Sequence, residues 1–237
     1  MQTLFLRPVI GALLTLALAF PALAETLRPF TATYQASSSG LPCGKGKLTL
    51  TQLGPDHYRY DASGKICVLG RGLSHSSEFL YRDGKIQPLH YQSKLKGLFS
   101  TRNLAGSFDD SQRFTVSLND EELPDSDEFP RAQWEPTLLV YLLGQARQSE
   151  QLSYTWGEET RDYLFEHKGT DILETDLGEL PAHLMVQDHL HKDRVARFWF
   201  SPELNGLLVK AKISRLGVPW LHIEINEVFW HDEETTP

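Results

Sequence analysis

Apolar and polar residues alternate along most of this sequence, which is typical of half-buried β-strands. The alternation begins at Phe30 and is most regular near the C-terminus. Asp83 and Gly84 lie between two such segments and predict a tight hairpin, because both residue types tolerate positive φ angles. Pro88 lacks a main-chain donor, so the strand after this hairpin belongs at a sheet edge or beside a bulge.

One segment departs from this pattern. Residues 138–143 are all apolar, with Pro136 before them and Gly144 after them. Proline suits the first turn of a helix and glycine often follows the last turn, so the sequence predicts a helix in the segment 134–147, with Pro136 in its first turn and Gly144 closing it. A short buried strand at 138–143 is the alternative, since six apolar residues fit either structure. A helix that is apolar all round must be enclosed by other elements.

Together the segments predict a mainly β fold, an antiparallel meander curved into an open or spiral β-barrel or roll packed around one central α-helix. A single domain would span 25–230. This domain begins with strands over 28–118, followed by an acidic loop over 119–130. The helix segment at 134–147 comes next, and further strands occupy 150–230. The polar residues 231–237 predict a disordered tail.

The apolar faces also fix a register between the second and third strands. A three-residue loop at 54–56 would pair Leu53 with His57, and Leu50 would then face Tyr60. A shift by one residue would bring a charged side chain opposite Leu50. The same register sets Lys45 opposite Lys65, which is mildly unfavourable because the two charges are alike.

The chain contains two cysteines, Cys43 and Cys67, and this register places them directly opposite each other. Directly opposed strand residues can approach within disulfide range. We therefore predict a Cys43–Cys67 cross-strand bridge, which an oxidising compartment would favour. The alternative is two free thiols with a redox role, which the lack of a Cys-x-x-Cys spacing disfavours.

Residues 1–24 have the composition of an export signal. Arg7 precedes an apolar stretch from Val9 to Phe20, which is too short for a convincing membrane span. Small residues lead up to Ala24, so we expect cleavage between Ala24 and Glu25. Because Glu25 is not a cysteine, no lipid attachment is expected there. These features predict a periplasmic protein that is not membrane-spanning after signal cleavage.

The formal net charge is −8, with 23 basic and 31 acidic residues. Basic residues form no evident stripe along the sequence, so nucleic acid is not an expected partner. Attachment to anionic lipid by charge is not expected either, because it requires clustered Lys or Arg.

Histidines offer the main candidate chemistry. His189 and His191 share one face of a predicted strand, and His183 has the same parity. A zinc or copper ion would need a third ligand, such as His222 from a neighbouring strand. Polar residues on a solvated face are the favoured interpretation, so we predict no metal and no cofactor. A metal-dependent enzyme or hydrolase using His189 and His191 is the alternative.

Three further motifs are weaker. The acidic loop lacks the ordered spacing of a calcium loop. The segment from Gly40 to Lys45 is one residue short of a phosphate-binding loop. The segment from Gly72 to Ser76 lacks the second glycine of a hydrolase nucleophile elbow. None of these motifs predicts a catalytic residue.

Several motifs, in their order and spacing, resemble one family of exported proteobacterial proteins. They are Phe30-Thr-Ala-Thr-Tyr34, His57-Tyr-Arg-Tyr60, the hairpin from Phe79 to Pro88, Thr175-Asp-Leu-Gly178, Arg197-Phe-Trp199 and Ser201-Pro-Glu-Leu204. The chain resembles the domain-of-unknown-function 3108 family from about Phe30 to Trp230. The resemblance implies a periplasmic location and a mostly β fold around a helix. It implies no catalytic residues, and the two cysteines are not part of its pattern.

We therefore expect a non-enzymatic protein that binds an apolar ligand, a lipid or another component of the cell envelope, such as an envelope protein. An apolar cleft between sheet and helix is the default place for such a ligand. For these side chains the favoured interpretation is that they simply fill the core. An outer-membrane barrel is disfavoured by charged outer faces. The candidate cavity residues on the predicted helix are Trp134, Leu138, Tyr141 and Leu142.

Overall fold

The computed structural model describes residues 27–66, 71–97, 100–108, 114–122, 136–146, 148–156, 159–189 and 194–231. The strands within these ranges are β1 (Phe30–Ser38), β2 (Leu41–Gly54), β3 (His57–Ile66), β4 (Arg71–Arg82), β5 (Lys85–Lys96), β6 (Thr101–Phe108), β7 (Phe114–Leu118), β8 (Glu121–Glu122), β9 (Glu150–Trp156), β10 (Glu159–Thr175), β11 (Gly178–His189), β12 (Arg194–Ser201), β13 (Leu207–Arg215) and β14 (Val218–Trp230). A helix, α1 (Pro136–Gln145), follows β8, and a 3₁₀ turn at Pro202–Leu204 follows β12. The predicted signal with its Ala24–Glu25 cleavage position lies outside the described residues, as do most of the acidic loop and the tail.

The fourteen described strands form one antiparallel sheet. Their order is β8-β7-β6-β5-β4-β3-β2-β1-β14-β13-β12-β11-β10-β9. Among these strands, only β1 and β14 are neighbours in the sheet without being neighbours in sequence, and their pairing joins two meanders into one. The predicted mainly β, antiparallel fold with a single short α-helix in the described residues is confirmed. The sheet is not closed, because the described strands β8 and β9 remain its two edges.

The contacts of α1 show how strongly the sheet curves. The helix contacts β3 and β4 on one side, and β9, β12 and β13 on the other. Five strand positions separate β3 from β12 in the sheet order, which corresponds to about 24 Å in a flat sheet. A helix with its side chains is only about 10–12 Å across. A flat sheet could not bring both sets of strands to the helix, so the sheet is curved.

Buried side chains of α1 belong to two different parts of the core. Leu138 and Tyr141 join the large cluster formed by both meanders. Leu139 and Leu143 join a second cluster, formed with residues of β10, β11 and β12. This double contact explains why the segment is apolar nearly all round. The prediction of a helix rather than a buried strand is confirmed.

The prediction that Gly144 ends the helix is wrong, because α1 continues to Gln145. Gly144 instead lies against the turn between β12 and β13. A Cβ built on Gly144 would overlap the carbonyl oxygen of Gly206, and one built on Gly206 would overlap the carbonyl oxygen of Gly144. The Gln145 side-chain amide also donates to the carbonyl oxygen of Asn205 at 3.0 Å. Two glycines therefore let the end of the helix touch this turn directly.

The register predicted between β2 and β3 is confirmed along most of its length, with Leu50 opposite Tyr60 and Lys45 opposite Lys65. It is wrong at the turn, where Gly54 rather than Leu53 pairs with His57. A bulge at Leu53 shortens the loop and leaves this side chain 42% exposed. Cys67 lies outside the described residues, so the Cys43–Cys67 bridge stays a prediction.

The hairpin between β4 and β5 follows its sequence signals. Asp83 and Gly84 have φ angles of 50° and 73°, as a tight turn of this type requires. Pro88 lies opposite a register shift between Glu78 and Phe79. The bulge accommodates the proline as predicted. The neighbours of β5 are β4 and β6, and its described pairs with β6 run from His90 to Lys96 and do not include Pro88.

We predict that Gly144→Ala lowers the free energy of unfolding by about 2 kcal/mol, a typical cost of overpacking. The added Cβ would push α1 away from the Gly206 turn. Urea unfolding of the variant measures this loss. Gly54→Ala is the matched control, because its Cβ would meet only the Cβ of His57, at an ordinary 3.7 Å. Equal effects of both substitutions would contradict the proposed contact.

For the cysteines, we predict an intact mass two hydrogens below that of the reduced mature chain. A double Cys43→Ser, Cys67→Ser variant should lose about 3 kcal/mol of stability, on the loop-entropy estimate. Mass spectrometry and thiol labelling under denaturing conditions check the bridge, and urea unfolding checks its contribution. Labelling of both thiols without prior reduction would exclude the bridge.

Candidate functional site

An open groove lies across β1 to β5 and β14, with a volume of about 1210 Å³. Its side chains are mainly polar, and five of them are exposed lysines. We call this site the lysine groove. The five lysines are Lys45, Lys47, Lys65, Lys94 and Lys96.

Strand alternation and register bring these lysines together. Those on β2, like those on β5, are two residues apart, so each pair lies on one face of its strand. One row of paired residues crosses the sheet through Lys45, Lys65, Gly72 and Lys96. The next row crosses it through Lys47, Ser63, Ser74 and Lys94. All five ammonium groups therefore belong to the same face.

The opposite face of these strands is core. Leu50 and Tyr60 are a directly paired couple whose side chains are both buried. Successive side chains of a strand point to opposite faces of the sheet. Leu50 and Tyr60 are an odd number of residues away from the lysines of their own strands, so the apolar and the cationic side chains lie on opposite faces. The five lysines of the groove therefore lie on the outer face of the sheet.

Positive charge dominates the groove although the whole chain is acidic. Against the five lysines, the described lining residues include one carboxylate, Glu227, which leaves an excess of four positive charges. No ion pair within the described part of the chain includes any of the five lysines. Lys210, on the same sheet, lies instead 2.9 Å from a carboxylate oxygen of Glu224. The groove thus holds cationic charge that the described structure does not balance locally.

The pairing of Lys45 with Lys65 carries a cost. Like charges directly opposite each other on adjacent strands destabilise a sheet, by roughly 0.2–1 kcal/mol. The sequence predicted this unfavourable pair, and the structure confirms it. Residues that break a local stability rule often belong to functional sites. This pair therefore marks the groove as a candidate for binding.

Glycine also shapes the groove, which is lined by Gly44, Gly46, Gly64 and Gly72. A Cβ built on Gly44 would overlap the main-chain carbonyl oxygen of Lys65. Any other residue there would push β2 away from β3. Gly72 lies between Lys65 and Lys96 in one row of paired residues, and its lack of a side chain leaves room for a ligand between these two lysines.

The candidate cavity residues of α1 lie elsewhere. Leu138 is 1% exposed and Tyr141 6% exposed, and both lie in the large core cluster. The ring centroid of Tyr141 is 5.6 Å from that of Tyr60. Leu142 is partly buried, and Trp134 lies outside the described residues. These two buried residues fill the core, and an apolar cavity lined by the four residues stays a prediction.

The structure separates the predicted histidine ligands. His222 was expected on a strand next to His189, but β14 is three positions from β11 in the sheet, or about 14 Å. Zinc–nitrogen bonds are only about 2.0–2.1 Å long, so this third-ligand prediction is wrong. His189 is the last residue of β11, and His191 lies outside the described residues. The described residues contain no group of three or more His, Cys, Asp or Glu placed to hold a metal ion.

His222 has an unusual environment of its own. Burial lowers its pKa, and Lys210 and Lys212 lower it further, while Glu224 raises it. Its Nε2 atom lies 3.7 Å from a carboxylate oxygen of Glu224, too far for a hydrogen bond. The net effect is a pKa below the ordinary value for histidine.

We predict that His222 titrates below pH 6.5, its ordinary value. Between the lowered pKa of His222 in the folded state and the ordinary value of about 6.5 in the unfolded chain, the unfolded chain binds more protons. The free energy of unfolding therefore rises with pH through this window, and stability is lost as pH falls below about 6.5. NMR titration of the His222 ring measures the pKa. Urea unfolding as a function of pH should show a weaker dependence in His222→Gln. A ring that titrates at or above 6.5 would contradict the prediction.

The lysine groove is not evident from the sequence pattern. The expectation that basic residues would not cluster is wrong, because the fold brings together lysines as far apart as Lys45 and Lys96. A local signal was present, since Lys-x-Lys at 45–47 and at 94–96 places two charges on one strand face. The sequence pattern did not show that the two strands bring these faces to one site.

Comparison with known proteins shows a similar fold. The chain matches no protein-family model, and no curated protein matches it. The fold is similar to the crystal structure of a beta-barrel-like protein of domain of unknown function DUF1849 from Brucella abortus. The two chains share 13% identity with a TM-score of 0.57, over 87% of this chain and 99% of that one. Membership of the domain-of-unknown-function 3108 family stays a prediction.

Among the described residues, no helix is long and apolar enough to cross a membrane.

Proposed function

We propose that this protein is a non-enzymatic periplasmic protein that binds an anionic component of the cell envelope in the lysine groove. The observation that carries this proposal is the convergence of five exposed lysines without an ion-pair partner among the described residues. Lysine is a strongly hydrated point charge that suits phosphate and carboxylate groups. The predicted export signal supports the periplasmic location.

The spacing of the lysines favours a ligand with several negative groups. Lys45 and Lys65 lie on adjacent strands, about 5 Å apart at the backbone, and β2 and β5 are about 14 Å apart. The two rows of lysines are about 7 Å from each other along the strands. A single small anion cannot contact charges spread over this area. A ligand with several phosphate or carboxylate groups can.

The scaffold supports a binding role. We also propose that the sheet forms an open, barrel-like roll around α1. The contacts of the helix with both meanders and the similarity to a beta-barrel-like protein support this arrangement. Groups placed on paired strands are held more precisely than groups on loops. The roll would therefore present the lysines in a fixed arrangement.

The other candidate functions have less support. Binding of an apolar ligand beside α1 would require space that Leu138 and Tyr141 occupy with core contacts. An enzyme using His189 and His191 stays an alternative prediction that no contact in the described residues favours.

We predict that the mature protein binds inorganic tripolyphosphate, and that a Lys45→Gln, Lys65→Gln, Lys94→Gln variant binds it at least about tenfold more weakly. Isothermal titration calorimetry measures the affinity, which should also fall with added salt because the charges are exposed. Lys85→Gln is the matched control. This exposed lysine lies at the opposite end of β5 from Lys96.

A stability measurement separates binding from folding. Because removal of Lys65 relieves a like-charge pair, Lys65→Gln should not lower the free energy of unfolding and is expected to raise it by about 0.5 kcal/mol. Weaker binding without loss of stability supports a binding role for the groove. Equal binding by the triple variant and the Lys85 control would overturn the proposal.

A further inference from the structure

Four large apolar side chains are exposed together at one end of the sheet. Leu41 is 71% exposed, Leu216 70%, Val218 64% and Trp220 47%. We call this set the apolar rim. It lies on two hairpin tips, the turn between β1 and β2 and the turn between β13 and β14.

Ser38 shows that the two tips are adjacent. It pairs with Leu41 across the first hairpin, and its hydroxyl donates to the carbonyl oxygen of Trp220 at 2.8 Å. Leu216 has a φ of 51° and Gly217 one of 75°, so the second turn is tight and Leu216 lies at its tip. The rim is thus one continuous feature and not a set of scattered residues.

Basic residues adjoin the rim. The lysine groove begins immediately beside Leu41, because Pro42 and Cys43 both line it. On the other side, the guanidinium of Arg194 lies 5.7 Å from the centre of the Trp220 ring, and Arg194 pairs with Arg215. Apolar tips and cationic charge therefore lie at the same end of the molecule.

We infer that this end of the sheet docks on the surface of an anionic phospholipid bilayer, with the apolar rim in the interface and the lysine groove on the lipid headgroups. The inference rests on the proposed function and names the lipid phosphate as its ligand. Tryptophan is favoured at membrane interfaces because its ring is amphipathic. Lysine and arginine beside it are attracted to the negative surface potential of anionic lipid.

A bilayer fits the rim better than a protein partner does. A stable protein interface uses roughly 20–30 residues from each side, whereas the rim offers four apolar side chains on two turns. Shallow insertion into an interface needs only such protruding tips, provided that electrostatic attraction adds to their burial. The arginines and lysines adjoining the rim supply that attraction.

Co-sedimentation of the mature protein with vesicles tests the inference. We expect binding to vesicles of phosphatidylcholine mixed with phosphatidylglycerol, and weak binding to phosphatidylcholine alone. A Leu216→Ser, Trp220→Ser variant should bind the anionic vesicles about tenfold more weakly, yet retain its affinity for tripolyphosphate. Ile172→Ser is the matched control, because this residue is also exposed, at 67%, but lies on β10.

Fluorescence quenching locates the contact. Lipids with brominated acyl chains should quench part of the tryptophan emission of the bound protein, and Trp220→Phe should remove that part while vesicle binding remains. Quenching that is unchanged in Trp220→Phe would overturn the inference, as would full vesicle binding by the double rim variant.

The remaining outcomes separate the two proposals. Binding of tripolyphosphate without binding of anionic vesicles would leave the groove's function standing and overturn docking on lipid. Loss of both would overturn both. Lipid-free dimers that the rim variant abolishes, seen by analytical ultracentrifugation, would assign the rim to a second copy of the chain and also overturn the inference.

Discussion

The pairing of the first strand with the last is the contact on which the rest of the structure depends. It sets Phe30 opposite Trp230, with ring centroids 5.8 Å apart in an edge-on arrangement. Just beyond the strands, the main-chain N–H of His231 donates to the carbonyl oxygen of Pro29. Without this pairing, each meander would expose an additional edge with unpaired donors and acceptors. Helix α1 could then not be enclosed, because its contacts come from both meanders.

Strand alternation gives the sheet two unlike faces. On β2, Leu48 and Leu50 contact the core, while Lys45 and Lys47 line the groove. Tyr34 shows how the inner face is fixed, because its hydroxyl donates to the carbonyl oxygen of Leu208 at 2.9 Å and burial raises its pKa. Outer-face residues make no such contribution to the core. Their charges can therefore serve binding at the modest cost of a repulsive pair.

An acidic chain can still attract anions at one place. The screening length at physiological ionic strength is about 8 Å, which is shorter than the distance across the sheet. The potential in the groove is therefore set by the charges that line it rather than by the net charge of −8. For this reason, total charge predicts solubility better than it predicts partners.

The sequence by itself determined the local structure. Period-two alternation located the strands, and Pro136 lies in the first turn of the helix as predicted. The need for continuous apolar faces fixed the pairing of Leu50 with Tyr60, because a slip by one residue reverses every side chain. These features depend on neighbours along the chain or across one hairpin.

Only the tertiary structure decided the features that depend on distant residues. The sequence predicts that Gly144 ends the helix. In the structure, Gly144 instead allows close main-chain contact with Gly206, which lies far along the chain. The sequence allows His222 and His189 to be ligands of one metal ion, but the sheet order places their strands three positions apart. The lysine groove and the apolar rim arise from strand order and from the β1–β14 pairing, since neither the lysines of β2, β3 and β5 nor the two hairpin tips are contiguous in sequence. Side-chain periodicity is a local property, whereas the neighbours of each strand are set by burial of the whole core.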